Sequence, residues 1–308
     1  MSITVYYRDN EENPLHNACK NGNLVFAKKL IKEGANMYLL DAQGKTPAEI
    51  ALETNNYHCL RYLLKKGFNS NHIISSNISL LSFACFENKY EAVKVLLEHG
   101  AQKTSTMLEY SCSLGYKQIV KLLLEKDYLS ILSYDSLCAA CNYGDKDIVQ
   151  LLIEHGIQNN TQELYNSSPL YYACLGGDYE TVSLIINKFQ IPQLPFELPL
   201  VACFVEYHTN SILLMELLIK NGENPHRVDF NGNNVLHYAC KYNSNSCVLK
   251  YLIDLNVSRS TINFDEKIPL SYCNDFEKRD IMLLYLPKSK MGYSIYKIKA
   301  YYDCTILS

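Results

Sequence analysis

The sequence predicts an all-α solenoid of about nine helix-turn-helix units joined by short finger loops. Three observations predict this fold. A motif in which cysteine follows a small residue recurs along the chain, an apolar motif ending in glycine recurs between its copies, and the copies are 27 to 37 residues apart, most often 33. A period of this size is typical of a repeat array. The motif cysteines are Cys19, Cys85, Cys112, Cys141, Cys174, Cys203 and Cys240, and Ala51 marks a copy without cysteine.

The first unit shows why each element should form. Pro14 stands at the start of a short helix, where its missing N–H removes no hydrogen bond, and Gly22 ends that helix. The apolar residues that follow have the spacing of a second helix, which Gly34 should close in a left-handed conformation. The finger, the loop that leads to the next unit, then runs over residues 35–45.

The same elements recur almost to the end of the chain. The second helix is the more regular of the two and ends in glycine in the segments 61–67, 93–100, 149–156 and 215–222. Units are expected to begin near residues 13, 46, 79, 106, 135, 168, 198 and 234. A ninth, degenerate unit is expected from Lys267 to about Pro287, with a short second helix over 280–286, because the outer face of a terminal repeat meets water.

These units resemble the ankyrin repeat, whose signature T-P-L-H-x-A opens a two-helix hairpin with a period of about 33 residues. Parts of the signature occur at Asn13-Pro14-Leu15-His16, Thr46-Pro47-Ala48, Ser168-Pro169-Leu170-Tyr171 and Val235-Leu236-His237-Tyr238-Ala239. The resemblance covers nearly the whole chain. It implies an N-terminal extension over residues 1–12, an ankyrin repeat array over 13–287, and a basic, Tyr-rich C-terminal tail over 288–308.

The chain departs from the regular period in two ways. Steps of 27 and 29 residues remove part of the finger near Gln102–Thr106 and near Asp127–Tyr134. The seventh unit, by contrast, has extra residues near Glu206–Ser211. Insertions in repeat arrays lie in loops, so this one is expected either at a functional edge or as a tolerated surface insertion.

Composition excludes several functional classes. The chain has 308 residues, a formal net charge of −3 and 20% charged residues, a balance that favours neither nucleic acid nor an anionic membrane as a partner. It contains no run of 18 apolar residues, so no membrane span is expected. Its polar, acidic start does not have the pattern of a signal peptide.

The twelve cysteines are expected to be structural thiols. Cysteines one repeat apart should lie roughly 10 Å apart on stacked units, beyond the reach of a disulfide. A zinc site usually needs two close cysteine pairs, and Cys138 with Cys141 is the one close pair. We therefore expect no metal, no cofactor and a reducing compartment, the cytoplasm, with delivery into a host cell also compatible with the sequence.

No residue pattern in the chain points to catalysis. The sequence lacks the phosphate-binding glycine loops and the His-Glu-x-x-His and Gly-x-Ser-x-Gly motifs. We expect no enzyme, no catalytic residues and no small-molecule substrate, because the segments outside the repeats are too short for a catalytic domain. His16 and His237 occupy the motif position at which the ring hydrogen-bonds a neighbouring turn.

The candidate binding residues follow from the ankyrin resemblance. In such families the fingers and first helices form a concave surface, and the two residues after the motif cysteine are variable contact positions. Aromatic or aliphatic residues recur there from the third unit onward, and aromatic residues are enriched at interface hot spots. The predicted partner-binding residues are Phe86, Leu114, Tyr143, Leu175, Phe204, Val205 and Tyr242, with Tyr38, Arg227 and Phe230 in the fingers. The alternative is that Phe86, Leu175 and Phe204 pack between neighbouring first helices.

The sequence thus predicts a non-catalytic protein–protein interaction module that binds a protein or peptide partner along a concave apolar and aromatic groove. Two alternatives stay open. One is an effector-type targeting or inhibitory protein that acts on a specific host enzyme, and the other, less favoured, is an enzyme with its site on the repeats. The tail over 288–308 is expected either to cover the last repeat or to bind a partner. A fold of this kind does not identify the partner.

Overall fold

The computed structural model describes residues 13–74, 76–125, 128–157, 168–189, 200–201, 210–242 and 246–284. Within these residues the chain forms sixteen α-helices and one 3₁₀-helix, and its only β-structure is isolated bridges, which confirms the all-α prediction. The predicted N-terminal extension and C-terminal tail lie outside the described residues, as does most of the insertion near 206–211.

The helices form two compact modules: an N-terminal module of residues 1–143 and 147–158, and a C-terminal module of residues 144–146 and 159–308. A 3₁₀-helix spans Pro269–Tyr272. The α-helices are α1 (Pro14–Lys20), α2 (Leu24–Lys32), α3 (Pro47–Glu53), α4 (Tyr57–Lys65), α5 (Leu80–Phe86), α6 (Tyr90–Glu98), α7 (Ser105–Ser113), α8 (Lys117–Leu123), α9 (Tyr134–Tyr143), α10 (Lys146–Glu154), α11 (Pro169–Gly176), α12 (Tyr179–Lys188), α13 (Ser211–Lys220), α14 (Val235–Lys241), α15 (Ser246–Asp254) and α16 (Phe276–Leu284).

Side-chain caps fix where the first helix of a repeat begins. Asn13 Oδ1 accepts a hydrogen bond from the Leu15 amide at 3.0 Å, and Pro14 lies between them at the first helical position. Thr46 and Glu49 form a reciprocal capping box at the start of α3. Such a cap stabilises a helix by about 1 kcal/mol. The caps explain why the partial signature marks the start of each repeat.

Residues with left-handed backbone conformation separate the helices, as predicted. Gly34 follows α2 with φ of +93°, and Gly22 lies between α1 and α2 with φ of +66°. A Cβ is unfavourable at these dihedral angles, and asparagine tolerates them better than most residues. Asn55 and Asn88 take the place of Gly22 in the next two repeats, with φ of +62° and +52°.

The N-terminal module is a two-layer stack. Its first helices pack side by side in the order α1, α3, α5, α7, α9, and the second helices α2, α4, α6 and α8 pack in the same order. Leu63, Leu96 and Leu108 have no exposed surface. Burying a leucine side chain contributes about 2 kcal/mol, whereas isolated helices of seven to ten residues are marginal in water. Packing between the repeats therefore holds these short helices.

The structure confirms the predicted shortening of two fingers. Residues 66–79 join α4 to α5, whereas residues 99–104 join α6 to α7 and residues 124–133 join α8 to α9. Helices α7 and α9 have nine and ten residues, against seven in α5. Residues that belong to a finger in other repeats thus belong to a helix here.

The C-terminal module ends in a repeat of different form. A 3₁₀-helix stands where a first helix would be. The predicted start of the last helix at Asp280 is wrong, because α16 begins at Phe276. Asp275 explains the earlier start: its Oδ1 accepts a hydrogen bond from the Glu277 amide at 2.9 Å, and its carbonyl oxygen accepts one from the Arg279 amide at 3.1 Å.

Buried histidines connect successive repeats, as the motif predicts. The His16 ring lies 2.9 Å from the Lys45 carbonyl oxygen through Nε2, and the His237 ring lies 3.2 Å from that of Lys267. Each carbonyl lies where one repeat meets the next: Lys45 directly precedes the repeat that begins near residue 46, and Lys267 is the first residue of the ninth repeat. Burial lowers the pKa of His237, which favours its neutral ring.

The ten cysteines among the described residues are reduced thiols, and all except Cys247 are buried. Burial raises the pKa of Cys85 to about 12 and the pKa of Cys141 well above its ordinary value. The expected separation of roughly 10 Å between cysteines one repeat apart is wrong for Cys240 and Cys273, whose thiols form a hydrogen bond. This hydrogen bond raises the pKa of Cys240. Cys273 occupies the small-residue position of its repeat, and not the motif cysteine position.

We expect iodoacetamide to alkylate Cys247 much faster than Cys85 and Cys141 in the folded chain at about pH 8. The thiolate is the reactive form, and a pKa of about 12 leaves roughly one Cys85 in 10,000 ionised at that pH. Mass spectrometry of the digested chain would give the rate at each cysteine, and the three rates should become similar in urea. Rapid labelling of Cys85 in the folded chain would contradict its buried position.

Candidate functional site

The C-terminal ends of α5, α7 and α9 bring a group of aromatic and aliphatic side chains together. The ring centroids of Phe86 and Tyr110 are 4.5 Å apart, with 54° between the ring planes. The Tyr143 ring lies directly against Gly115, so closely that a Cβ at Gly115 would be 2.1 Å from it. Leu114 lies next to Gly115, at the end of α7. We call Phe86, Tyr110, Leu114 and Tyr143 the aromatic face.

The aromatic face is exposed although its side chains are large. Tyr143 exposes 52% of its surface, Tyr110 39% and Leu114 38%. Phe86 is half-buried beside Tyr110. Exposed large apolar side chains that lie together, and are not scattered singly, mark interaction sites on folded proteins.

Three of the sequence-predicted residues, Phe86, Leu114 and Tyr143, thus lie on this face. Phe86 also contacts the neighbouring first helix, as the alternative prediction stated. Sequence reasoning misses Tyr110, because it considers only the two residues after each motif cysteine. The spacing of Tyr110 and Leu114 was an available signal, since residues four apart lie on one face of a helix.

Tyr38 connects two successive fingers of the N-terminal module. Its ring stacks on that of Phe68 with 4.6 Å between centroids. Its hydroxyl accepts a hydrogen bond from the Asn69 amide at 2.9 Å. Tyr38 still exposes 43% of its surface, so it has a structural contact and an exposed side that a partner can reach.

In the C-terminal module, Tyr242 lies at the end of α14. Its ring stacks on that of Tyr238 with 6.1 Å between centroids, and Lys241 Nζ is 5.8 Å from the Tyr242 ring centroid. Leu175 is half-buried near the end of α11. The predicted residues outside the described part of the chain are Phe204 and Val205.

Asp229 fixes the finger between α13 and α14. This carboxylate is 6% exposed, and its Oδ1 accepts hydrogen bonds from the amides of Asn231 and Asn233, each at 2.8 Å. Its other oxygen accepts a hydrogen bond from the Tyr238 hydroxyl. Phe230, directly after Asp229, is 63% exposed. A loop held by these hydrogen bonds therefore presents the predicted Phe230 to solvent.

The next finger repeats this arrangement with residues that sequence reasoning misses. Asn263 takes the place of Asp229, and its neighbours Ile262 and Phe264 are 63% and 79% exposed. The Phe264 amide donates a hydrogen bond to the Asn231 carbonyl oxygen at 2.9 Å. The two fingers of the C-terminal module are thereby joined, with their apolar tips exposed.

Arg227, another predicted finger residue, is held by a contact within its own module. Its guanidinium lies 3.3 Å from Glu223 Oε1. The Arg227 side chain is 15% exposed and that of Glu223 is 1% exposed. A buried ion pair of this kind depends on both members. Arg227 therefore contributes to the packing of the finger and offers little surface to a partner.

The described residues were also compared with the requirements of a metal site and of a membrane-spanning helix. No group of three or more His, Cys, Asp or Glu side chains among them could hold a metal ion. In the same part of the chain, every helix is too short or too polar to cross a membrane.

Known protein families match the same repeats. The profile described as "Ankyrin repeats (3 copies)" matches residues 3–74, 71–135 and 130–193, and the profile "Ankyrin repeats (many copies)" matches residues 218–273. The chain belongs to the ankyrin repeat family. Ankyrin repeats are generally protein–protein interaction modules, and the fold is typically non-enzymatic.

Individual ankyrin repeat proteins resemble the chain only distantly. An ankyrin repeat protein of Acanthamoeba polyphaga mimivirus is 25% identical over 252 residues, which are 75% of this chain and 33% of that protein. Ankyrin repeat and SOCS box protein 3 of Bos taurus is 27% identical over 170 residues, 51% of this chain and 32% of that protein. The crystal structure of EF0377, an ankyrin repeat protein, is 23% identical with a TM-score of 0.48 and covers 60% of this chain and 100% of EF0377. The chain spans about a third of the length of these two curated relatives.

Proposed function

We propose that this ankyrin repeat chain binds a protein or peptide partner through its first helices and fingers and catalyses no reaction. The observation that carries the proposal is the aromatic face of the N-terminal module, where Tyr110, Leu114 and Tyr143 are exposed on adjacent helices. Tyrosine supports binding well, because its ring provides a large apolar contact and its hydroxyl keeps a hydrogen bond with water or partner.

The scaffold supports the same proposal. The aromatic face lies on helices whose positions are set by fully buried side chains such as Leu108 and Leu96. A partner therefore meets a preorganised surface and loses little binding energy to ordering it. The effector alternative uses the same surface chemistry and differs in the identity of the partner. The buried thiols support a reducing compartment, and hence the cytoplasm, as the place of action.

The partner can be identified by photo-crosslinking from the aromatic face. A chain with p-benzoylphenylalanine at position 143 would be compared with one that carries the same group at Gln118, an exposed position of α8. Both would be incubated with a lysate of the native host and irradiated. A protein crosslinked from position 143 and not from position 118 is the candidate partner for affinity measurements.

The variant Tyr110→Ala/Tyr143→Ala is expected to bind that purified partner at least tenfold more weakly, because tyrosine is enriched among the interface residues whose truncation costs more than about 1 kcal/mol. Its free energy of unfolding should change by less than about 1 kcal/mol, since both side chains are well exposed. Surface plasmon resonance and urea unfolding measure the two quantities.

Tyr179→Ala provides a matched control for this variant. Tyr179 is 41% exposed and begins α12, outside the aromatic face. Its loss should leave the affinity unchanged. Equal affinities for the double variant and the unmodified chain would contradict the proposed binding surface.

A further inference from the structure

The helices that carry the aromatic face contain no cationic side chain. The sequences of α5, α7 and α9 include neither lysine nor arginine. Two exposed carboxylates adjoin the face instead: Glu87 directly follows Phe86, and Glu109 directly precedes Tyr110. The surface is therefore aromatic and acidic at once.

Lysines in the neighbouring turns are already engaged. Lys89 Nζ donates hydrogen bonds to the Glu53 carbonyl oxygen at 3.2 Å and to Asn55 Oδ1 at 2.6 Å. Lys117 forms a salt bridge with Asp147. Glu87 and Glu109, in contrast, take part in none of the salt bridges among the described residues. These carboxylates keep their negative charge available to a partner.

Elsewhere in the chain, tyrosine rings are contacted by cations. Tyr62 has two ammonium groups near its ring, Lys28 Nζ at 5.6 Å and Lys66 Nζ at 5.7 Å from the centroid. None of the cation–ring contacts in the described residues involves Tyr110 or Tyr143. The rings of the aromatic face are thus exposed and available to a cation from outside.

We propose that the aromatic face binds a segment of its protein partner that is rich in lysine and arginine. This inference rests on the proposed function and specifies the class of partner. Cationic side chains would lie over the rings of Tyr110 and Tyr143, where the ring quadrupole attracts them, and would pair with Glu87 and Glu109. The same carboxylates repel an acidic segment, so the charge of the face selects the partner.

A selection from a random library of 12-residue peptides displayed on phage tests this inference. The full chain is the bait, and the variant Tyr110→Ala/Tyr143→Ala removes peptides that bind elsewhere. Peptides that bind the unmodified chain and not the variant are expected to be enriched in lysine and arginine. The affinity of the synthesised peptides should fall about tenfold when NaCl is raised from about 50 to about 300 mM, as for partly screened charge pairs.

The variant Glu87→Gln/Glu109→Gln should bind the selected peptides with about tenfold lower affinity. The melting temperature of the chain should not change, because both side chains are exposed. Glu91→Gln is the matched control: Glu91 is an exposed glutamate of α6, outside the aromatic face, and its loss should have no effect. Fluorescence anisotropy with labelled peptides measures all three affinities.

The outcomes separate the partner class from the binding surface. Peptides that depend on the two tyrosines but are acidic or uncharged, or that bind the glutamine variant equally well, would overturn the cationic partner and leave the surface in place. A library that yields no tyrosine-dependent peptide would count against both. Dimerisation in sedimentation velocity that the tyrosine variant abolishes would assign the face to a second copy of the chain.

Discussion

Replacing Leu108 with alanine is expected to lower the free energy of unfolding by about 3 kcal/mol. Leu108 has no exposed surface, and its helix α7 packs against α5, α8 and α9. Truncation removes buried apolar contacts and leaves a cavity that helices held on three sides cannot close. Urea unfolding followed by far-UV circular dichroism measures the loss, and amide hydrogen exchange locates it.

Leu114→Ala is the matched control, because it makes the same chemical change at the end of the same helix. Leu114 is 38% exposed, and its truncation should alter the free energy of unfolding by less than about 0.5 kcal/mol. Equal losses for the two variants would show that the inward and outward sides of α7 are assigned wrongly. Because Leu114 belongs to the aromatic face, the same variant can also be measured in the binding experiments.

Replacing Asp229 with alanine is expected to destabilise the C-terminal module by about 3 kcal/mol, because hydrogen bonds to a charged group contribute about 1.5–3 kcal/mol each and their loss is only partly offset by water. The variant removes the acceptor for the Asn231 and Asn233 amides and for the Tyr238 hydroxyl. Hydrogen exchange at the two asparagine amides should accelerate together with the loss of stability.

Asp229→Asn should be much milder, at about 1 kcal/mol, and the chain itself shows why. Asn263 occupies the corresponding position of the next finger, where its Oδ1 accepts hydrogen bonds from the amides of Asp265 at 3.1 Å and Lys267 at 2.9 Å. An amide oxygen is thus sufficient for the loop. If the alanine and asparagine variants were equally stable, the finger would not depend on these hydrogen bonds.

Much of the fold is predictable because its signals are local. Pro14 and the caps at Asn13 and Thr46 act within one turn of helix. Gly34 closes α2 through its own backbone dihedral angles. The last helix was predicted to begin too late, because Asp275 stands in a polar run in which several residues could have been the cap.

The candidate site was predictable only in part. The repeat register predicted which turn of each first helix Phe86, Leu114 and Tyr143 occupy, and the structure places them on the aromatic face. Their role in binding a partner stays a prediction. The repeat register did not show that Tyr110 adjoins Phe86, or that Arg227 is held within its own finger. Exposure depends on neighbours that are distant in sequence, and a repeat period alone does not supply their side-chain directions.

The sequence by itself determined the repeat period, the helix pairs and their ends, because these follow from interactions between residues a few positions apart. Only the tertiary structure decided which side chains stay exposed and which thiols meet. The Tyr143 ring lies against Gly115 of the preceding repeat because that residue has no side chain. Cys240 reaches Cys273 because the last repeat carries its cysteine one position early. Both depend on the packing of residues about one repeat apart, which no local pattern encodes.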